Sequence, residues 1–151
     1  MISDNEFILW DTEYTSWKGS QERNWKKTKK SDITEYKELV MIGAIKVKKI
    51  GNTLKIIDNK KIYIKPTYNP ILSDYFKELT GITQLDIDNY GLSFEKGLNE
   101  LYLFSTNKNN CLLPLYSYGN DYSIVDYNLK LYNFSQFSKF VKWSYMFYNI
   151  R

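Results

Sequence analysis

Asp11 and Glu13 stand two residues apart at the end of an apolar run, in the stretch LWDTEYTSW that spans residues 9–17. The run before them, Phe7-Ile8-Leu9-Trp10, reads as a buried strand. Residues two apart on a strand point to the same side, so both carboxylates face one spot. Charge within a sheet is costly unless something answers it. Two converging carboxylates suit a hard divalent cation with oxygen ligands. A third acid, Asp121, follows the apolar run CLLPLYSYG and opens a stretch with helical spacing. That is the carboxyl edge of a strand, where open α/β sheets bind ligands. Asp is equally a good helix N-cap, and from sequence both readings of Asp121 stand.

Other residues near these acids carry two readings each. Tyr14 and Trp17 have rings that stack on nucleic-acid bases, or that join the core beside a strand. The run Lys26-Lys27-Thr28-Lys29-Lys30 would steer phosphates or be a solvated loop. Glu38 precedes an apolar stretch and is either a surface charge or a support for the acids in front of it.

What the chain lacks narrows the chemistry. There is no histidine among the 151 residues, which removes Ser-His-Asp, Cys-His and His-zinc mechanisms. Carboxylates, lysines, tyrosines and one thiol remain. The single cysteine, Cys111, lies in an apolar run and is expected as a core thiol. One cysteine makes no internal disulfide, and a cytoplasmic setting is expected. Neither a secretory leader nor a membrane-spanning stretch is apparent. The net charge of +4 is compatible with a polyanionic partner. The length fits one domain over residues 1–151.

The elements that must position the acids follow from spacing. A first strand is expected over 6–11, then a long exposed insert over 14–38. The segment ELVMIGAIKVKKI, residues 38–50, reads as a second strand. Gly51-Asn52 is a hairpin turn, and 53–65 returns as a third strand with a break at Asp58-Asn59. Residues 73–82 predict a short helix capped by Ser73 and stopped by Gly81. Phe94, Leu98, Leu101 and Ser105 give helical spacing over 93–106. A fourth strand is expected over 111–119. A helix follows over 121–132, with Ile124, Val125 and Leu129 inward. The tail from 134 reads as helix then strand. The order predicts an α/β mixed sheet covered by helices.

Several of these stretches together resemble a known family, the DEDD 3′–5′ exonucleases, in the branch with ribonuclease T, oligoribonuclease and the proofreading subunit of DNA polymerase III. WDTEYTSW resembles its first motif, D-x-E. ELVMIGAIKV is similar to its second strand, and IKPTYNPILSDYFKELTGIT to a stretch ending in L-T-G-I-T. YSYGNDYSIV resembles the second motif, which carries a further metal-binding Asp just after a strand. The likeness covers residues 6–132. It implies a ribonuclease H-like fold, with three leading antiparallel strands and then alternating helices and strands. It implies two ions of Mg²⁺ or Mn²⁺, roughly 4 Å apart, held by Asp11, Glu13 and Asp121. It implies single-stranded RNA or DNA 3′ ends as substrate, with Thr12, Tyr14, Trp17, Leu79, Thr80 and Ile82 as contacts. It leaves the oligomeric state, a homodimer included, open.

The family pattern also requires a later helix with H-x-x-x-x-D, or Y-x-x-x-D in a sister branch. No Asp or Glu follows Asp126, and no general base is visible. Tyr122-x-x-x-Asp126 matches the second spacing but overlaps the second motif. A C-terminally incomplete domain is therefore expected, either an exonuclease without its third motif or an inactive relative that binds nucleic acid or protein. The missing helix would leave apolar sheet surface uncovered.

Overall fold

The computed structural model of the protein describes residues 5–20, 34–134 and 142–151. The described elements are β1 (Glu6–Tyr14), β2 (Leu39–Ile50), β3 (Thr53–Tyr63), α1 (Asp74–Thr80), α2 (Gln84–Tyr90), α3 (Phe94–Phe104), β4 (Leu115–Ser117), α4 (Asp121–Leu131) and β5 (Phe147–Asn149). The strands form one sheet in the order β3-β2-β1-β4-β5. β1 pairs antiparallel with β2, and β2 with β3. β4 joins β1 in parallel, and β5 joins β4 in parallel.

Alternation along β1 separates two faces. Ile8, Trp10 and Thr12 are buried, and they share their face with Ile42, Ala44, Ile62 and Leu115. Helices α3 and α4 cover that side with Phe94, Leu98, Leu101, Ile124, Val125 and Leu129. α3 lies unusually close to the sheet. A Cβ on Gly97 would meet the Ile64 side chain at 2.7 Å. The other face carries Phe7, Leu9, Asp11 and Glu13, and its cross-strand neighbours are Val47, Ile45, Gly43 and Met41. This face is open: Leu9 is 36% exposed and Tyr148 44%. A smaller core of Val40, Leu72, Phe76, Ile82 and Ile87 lies under α1 and α2.

The structure departs from the sequence expectations in several places. β1 runs to Tyr14 rather than ending at 11, because its acids alternate onto the open face and leave Thr12 to continue the buried one. β3 is not broken at Asp58-Asn59; a bulge beside them takes up one residue, with Lys46 facing Asp58 and Val47 facing Ile56. α2 was not expected. Its signal is Thr83-x-x-Asp86, a reciprocal capping box, but only Ile87 of its seven residues is buried, so the apolar period is too short to read. β4 has three residues instead of nine. Cys111 is half-buried in a turn held by Asn107, not a core thiol. In the tail, 142–144 is helical and β5 follows. The Lys26–Lys30 run lies outside the described residues. Among the described residues, no helix is long and apolar enough to cross a membrane.

Candidate active site

The two acids of β1 stand opposite Gly43 and Met41 on the open face. Gly43 presents no side chain, and little but the Met41 tip, 4.0 Å from where its Cβ would be, fills that space. The result is a concavity of about 390 Å³ beside Asp11, with Leu9, Ile45, Asn59 and Lys61 among its walls. A second concavity, of about 590 Å³, lies at the start of β1 around Glu6, Lys46 and Lys48. It contains none of the three acids, and chemistry rather than volume singles out the first.

Asp121 arrives from the neighbouring strand. β4 runs parallel to β1, so the chain leaving β4 emerges at the carboxyl end of β1. Gly119, at φ 123°, turns it into α4, whose first residue is Asp121. There Asp121 is buried, and its Oδ1 accepts the Thr12 amide at 2.9 Å and the Thr12 hydroxyl at 2.7 Å. The residue between the two acids of β1 therefore holds the third. The Ile8 amide donates to Pro114 on the β4 side, and alternation puts the Thr12 amide on that same side. β4 pairing reaches only Leu9, so Asp121 takes the place of a strand partner for Thr12.

Asp11 and Glu13 are both raised, burial being the first cause and neighbouring acid charge the second. Burial pushes the Asp11 carboxyl above its ordinary value, and the Asp121 charge adds to it against an opposing bond from the Thr12 backbone. Burial likewise raises Glu13, followed by the charges of Asp11 and Asp121. The Tyr14 hydroxyl is raised by burial and then by Asp121 and Glu13. The ion pairs seen among the described residues engage other acids, such as Lys48 with Glu6 and Lys130 with Asp126. A crowded set of hard oxygen donors fits a divalent cation. Among the described residues, no three acids stand close enough together to form a cation cage.

The remaining sequence candidates divide. Thr12, expected to touch substrate, gives its hydroxyl and amide to Asp121 in this structure. Tyr14 is half-buried and packs against the main core, and Trp17 sits half-buried in the turn after β1. Leu79 is 60% exposed at the end of α1. The Thr80 hydroxyl donates to the Phe76 carbonyl and accepts the Ile82 amide, closing the helix end. Ile82 points into the smaller core. Asp126 pairs with Lys130 on the outside of α4. Sequence reasoning missed Asn128, fully buried on α4. Its Oδ1 accepts the Leu39 amide, and its Nδ2 donates to the Lys37 carbonyl, fixing α4 onto β2. A polar residue in register with the inward Ile124, Val125 and Leu129 was the available signal.

A family model for exonucleases, RNase_T, matches residues 8–148. The 3′-5′ exonuclease eri1 of Schizosaccharomyces pombe is 44% identical over 59 residues, which make up 39% of this chain and 20% of that protein. Among solved structures, the nuclease domain of 3′hExo, a DEDDh family member bound to rAMP, superposes with a TM-score of 0.65 at 22% identity, over 88% of this chain and 62% of that one. A 3′-exonuclease solved in recognition of a histone mRNA stem-loop gives 0.66 at 21% identity, over 87% and 42%. Cell-death related nuclease 4 gives 0.62 at 21%, over 85% and 40%. At such identities the structures speak for the fold. The chain spans less than two thirds of each of these relatives.

Proposed function

The chain belongs to the RNase_T exonuclease family and has the ribonuclease H-like fold, and from that premise we propose that it is a 3′–5′ exonuclease domain acting on single-stranded nucleic acid through two divalent metal ions, Mg²⁺ or Mn²⁺. The observation that carries this reading is the gathering of Asp11, Glu13 and Asp121 near the carboxyl end of β1, where the Asp121 charge reaches both acids of the strand. These three residues would hold the metals, which supply an activated water and charge stabilisation at the leaving 3′ oxygen. Thr12 orients Asp121 toward the pair on β1. The open trough beside Asp11 gives the terminal nucleotide access, and Leu79 offers an exposed apolar contact. The neighbours solved with rAMP and with an mRNA stem-loop support RNA as the first substrate to try. A cytoplasmic location belongs to the same reading.

One observation favours a second reading. The sequence has no histidine to serve as the general base that the H-x-x-x-x-D pattern supplies. A positioned base contributes roughly 10²–10⁴-fold, so a chain without one would bind a 3′ end far better than it cuts it. Mn²⁺ titration by calorimetry, with Asp11→Ala and Asp121→Ala alongside, tests the metal site. Binding that both variants lose, together with shortening of a 5′-labelled oligoribonucleotide from its 3′ end, is the expected result. Metal binding without shortening would select the binding module. Absence of metal binding by the unmutated chain would overturn the two-metal reading.

A further inference from the structure

Glu38 is fully buried, and among the described residues the groups bonded to its carboxylate are hydrogen-bond donors. Oε1 accepts the amides of Thr67 at 2.7 Å and Tyr68 at 2.9 Å, and Oε2 accepts the Asn69 amide at 2.7 Å. Tyr132 completes the set, its hydroxyl donating to Oε1 at 2.5 Å. Burial, with the Glu38 carboxylate beside it, holds the Tyr132 hydroxyl above its usual range, so it remains a donor. The main chain of Glu38 is fixed as well. Its carbonyl accepts the Thr15 amide, and its own amide donates to the Thr15 hydroxyl.

These partners come from separate parts of the fold. Thr15 lies just past the acids of β1. Residues 67–69 lead through Leu72 into α1, whose cap Ser73 reaches back to the Ser16 carbonyl. Tyr132 stands at the far end of the helix that Asp121 begins, stacked on Phe94 with ring centroids 5.0 Å apart. α4 is thus held at three points: Asp121 on Thr12, Asn128 on β2, and Tyr132 on Glu38. A rigid helix fixed at its far end has little freedom at its near end.

We propose that Glu38 is a positioning residue: through Tyr132 it sets where α4 lies, and so where Asp121 meets Asp11 and Glu13. Its catalytic meaning rests on the metal reading above, but its geometry does not. The test is amide hydrogen exchange on the metal-free full chain, comparing wild type with Tyr132→Phe and Glu38→Gln. The reporter is the Thr12 amide, which is bonded to Asp121. In both variants its protection is expected to fall about tenfold, while amides of the β1–β2 ladder keep theirs. Glu38→Gln should also open the Thr67–Asn69 amides, because the side-chain NH₂ must face a donor. Tyr132→Phe removes one hydroxyl only and keeps the test available if Glu38→Gln fails to fold. Unchanged Thr12 protection, or a fall shared equally by the whole sheet, would overturn the proposal and leave Glu38 a general structural clamp. The measurement uses neither metal nor nucleic acid, so it can fail while the nuclease reading holds, and the reverse.

Discussion

Two groups of carboxylates in this molecule are built on opposite principles. Glu38 is surrounded by donors, and every one of its bonds relieves its charge. Asp11, Glu13 and Asp121 lie near one another, and burial followed by the neighbouring acid charge raises Asp11 and Glu13 instead of relieving them. A buried charge persists only where it is answered. In the first group the answer is part of the fold. In the second, among the described residues, the relief comes from Thr12, which meets one oxygen of Asp121 and whose backbone also bonds Asp11. The difference separates acids whose charge the fold answers from acids whose charge it leaves largely unanswered, as the proposed metal site requires.

Removing one acid from each group should separate the two roles. Asp11→Asn keeps shape and removes charge from the crowded group; nuclease turnover is expected to fall by about 10³-fold or more, while the urea midpoint holds or rises. A variant equally active to wild type would take Asp11 out of the site. Glu38→Ala should do the opposite to stability. It strands three backbone amides and a hydroxyl, and is expected to cost about 3 kcal/mol or more in a urea titration. Loss of less than about 1 kcal/mol would mean that water replaces the carboxylate, and the contrast between the groups would weaken. Thr12→Val lies between them. The amide bond to Asp121 survives and the hydroxyl bond does not, so Mn²⁺ affinity should fall about tenfold by calorimetry with little change in stability.

The legibility of these groups in the sequence differs for the same physical reason. Asp11 and Glu13 are placed by strand alternation alone, a local rule, and the register bears out that they share a face. Asp121 is placed by a parallel strand crossing, which the apolar run before it and the helical spacing after it suggest. Glu38 could be read as surface charge or as support, because its partners lie 29 to 31 residues ahead, and 94 ahead for Tyr132. No local period reports such contacts. The bond that Thr12 makes was hidden for a related reason: its neighbours in sequence are the acids of β1, but its partner Asp121 lies 109 residues ahead. Ile82 shows the converse. Its motif implied a substrate contact, and in the structure the αL stop at Gly81 is followed by Ile82 packing into the smaller core.

The smallest effect is also the most direct measure of crowding. Asp11 and Glu13 have folded values above their ordinary ones near 3.8 and 4.5, burial being the first cause and the neighbouring acids the second. The folded chain therefore binds these protons more tightly than the unfolded chain. As pH rises from about 4, the unfolded state releases them first, so their contribution to stability falls until pH passes the raised folded values. Asp74 and Asp86 run the other way, lowered by bonds to Lys77 and Thr83, so the wild-type profile alone mixes both signs. The difference between wild type and Asp11→Asn isolates the site. In metal-free buffer the variant should melt at the same temperature near pH 4 and a few degrees higher near pH 7. Excess Mn²⁺ should raise the wild type and leave the variant nearly unmoved, because a cation that binds only the folded acids stabilises by mass action. A variant that melts lower than wild type at pH 7 without metal would show that Asp11 is answered within the fold, as Glu38 is.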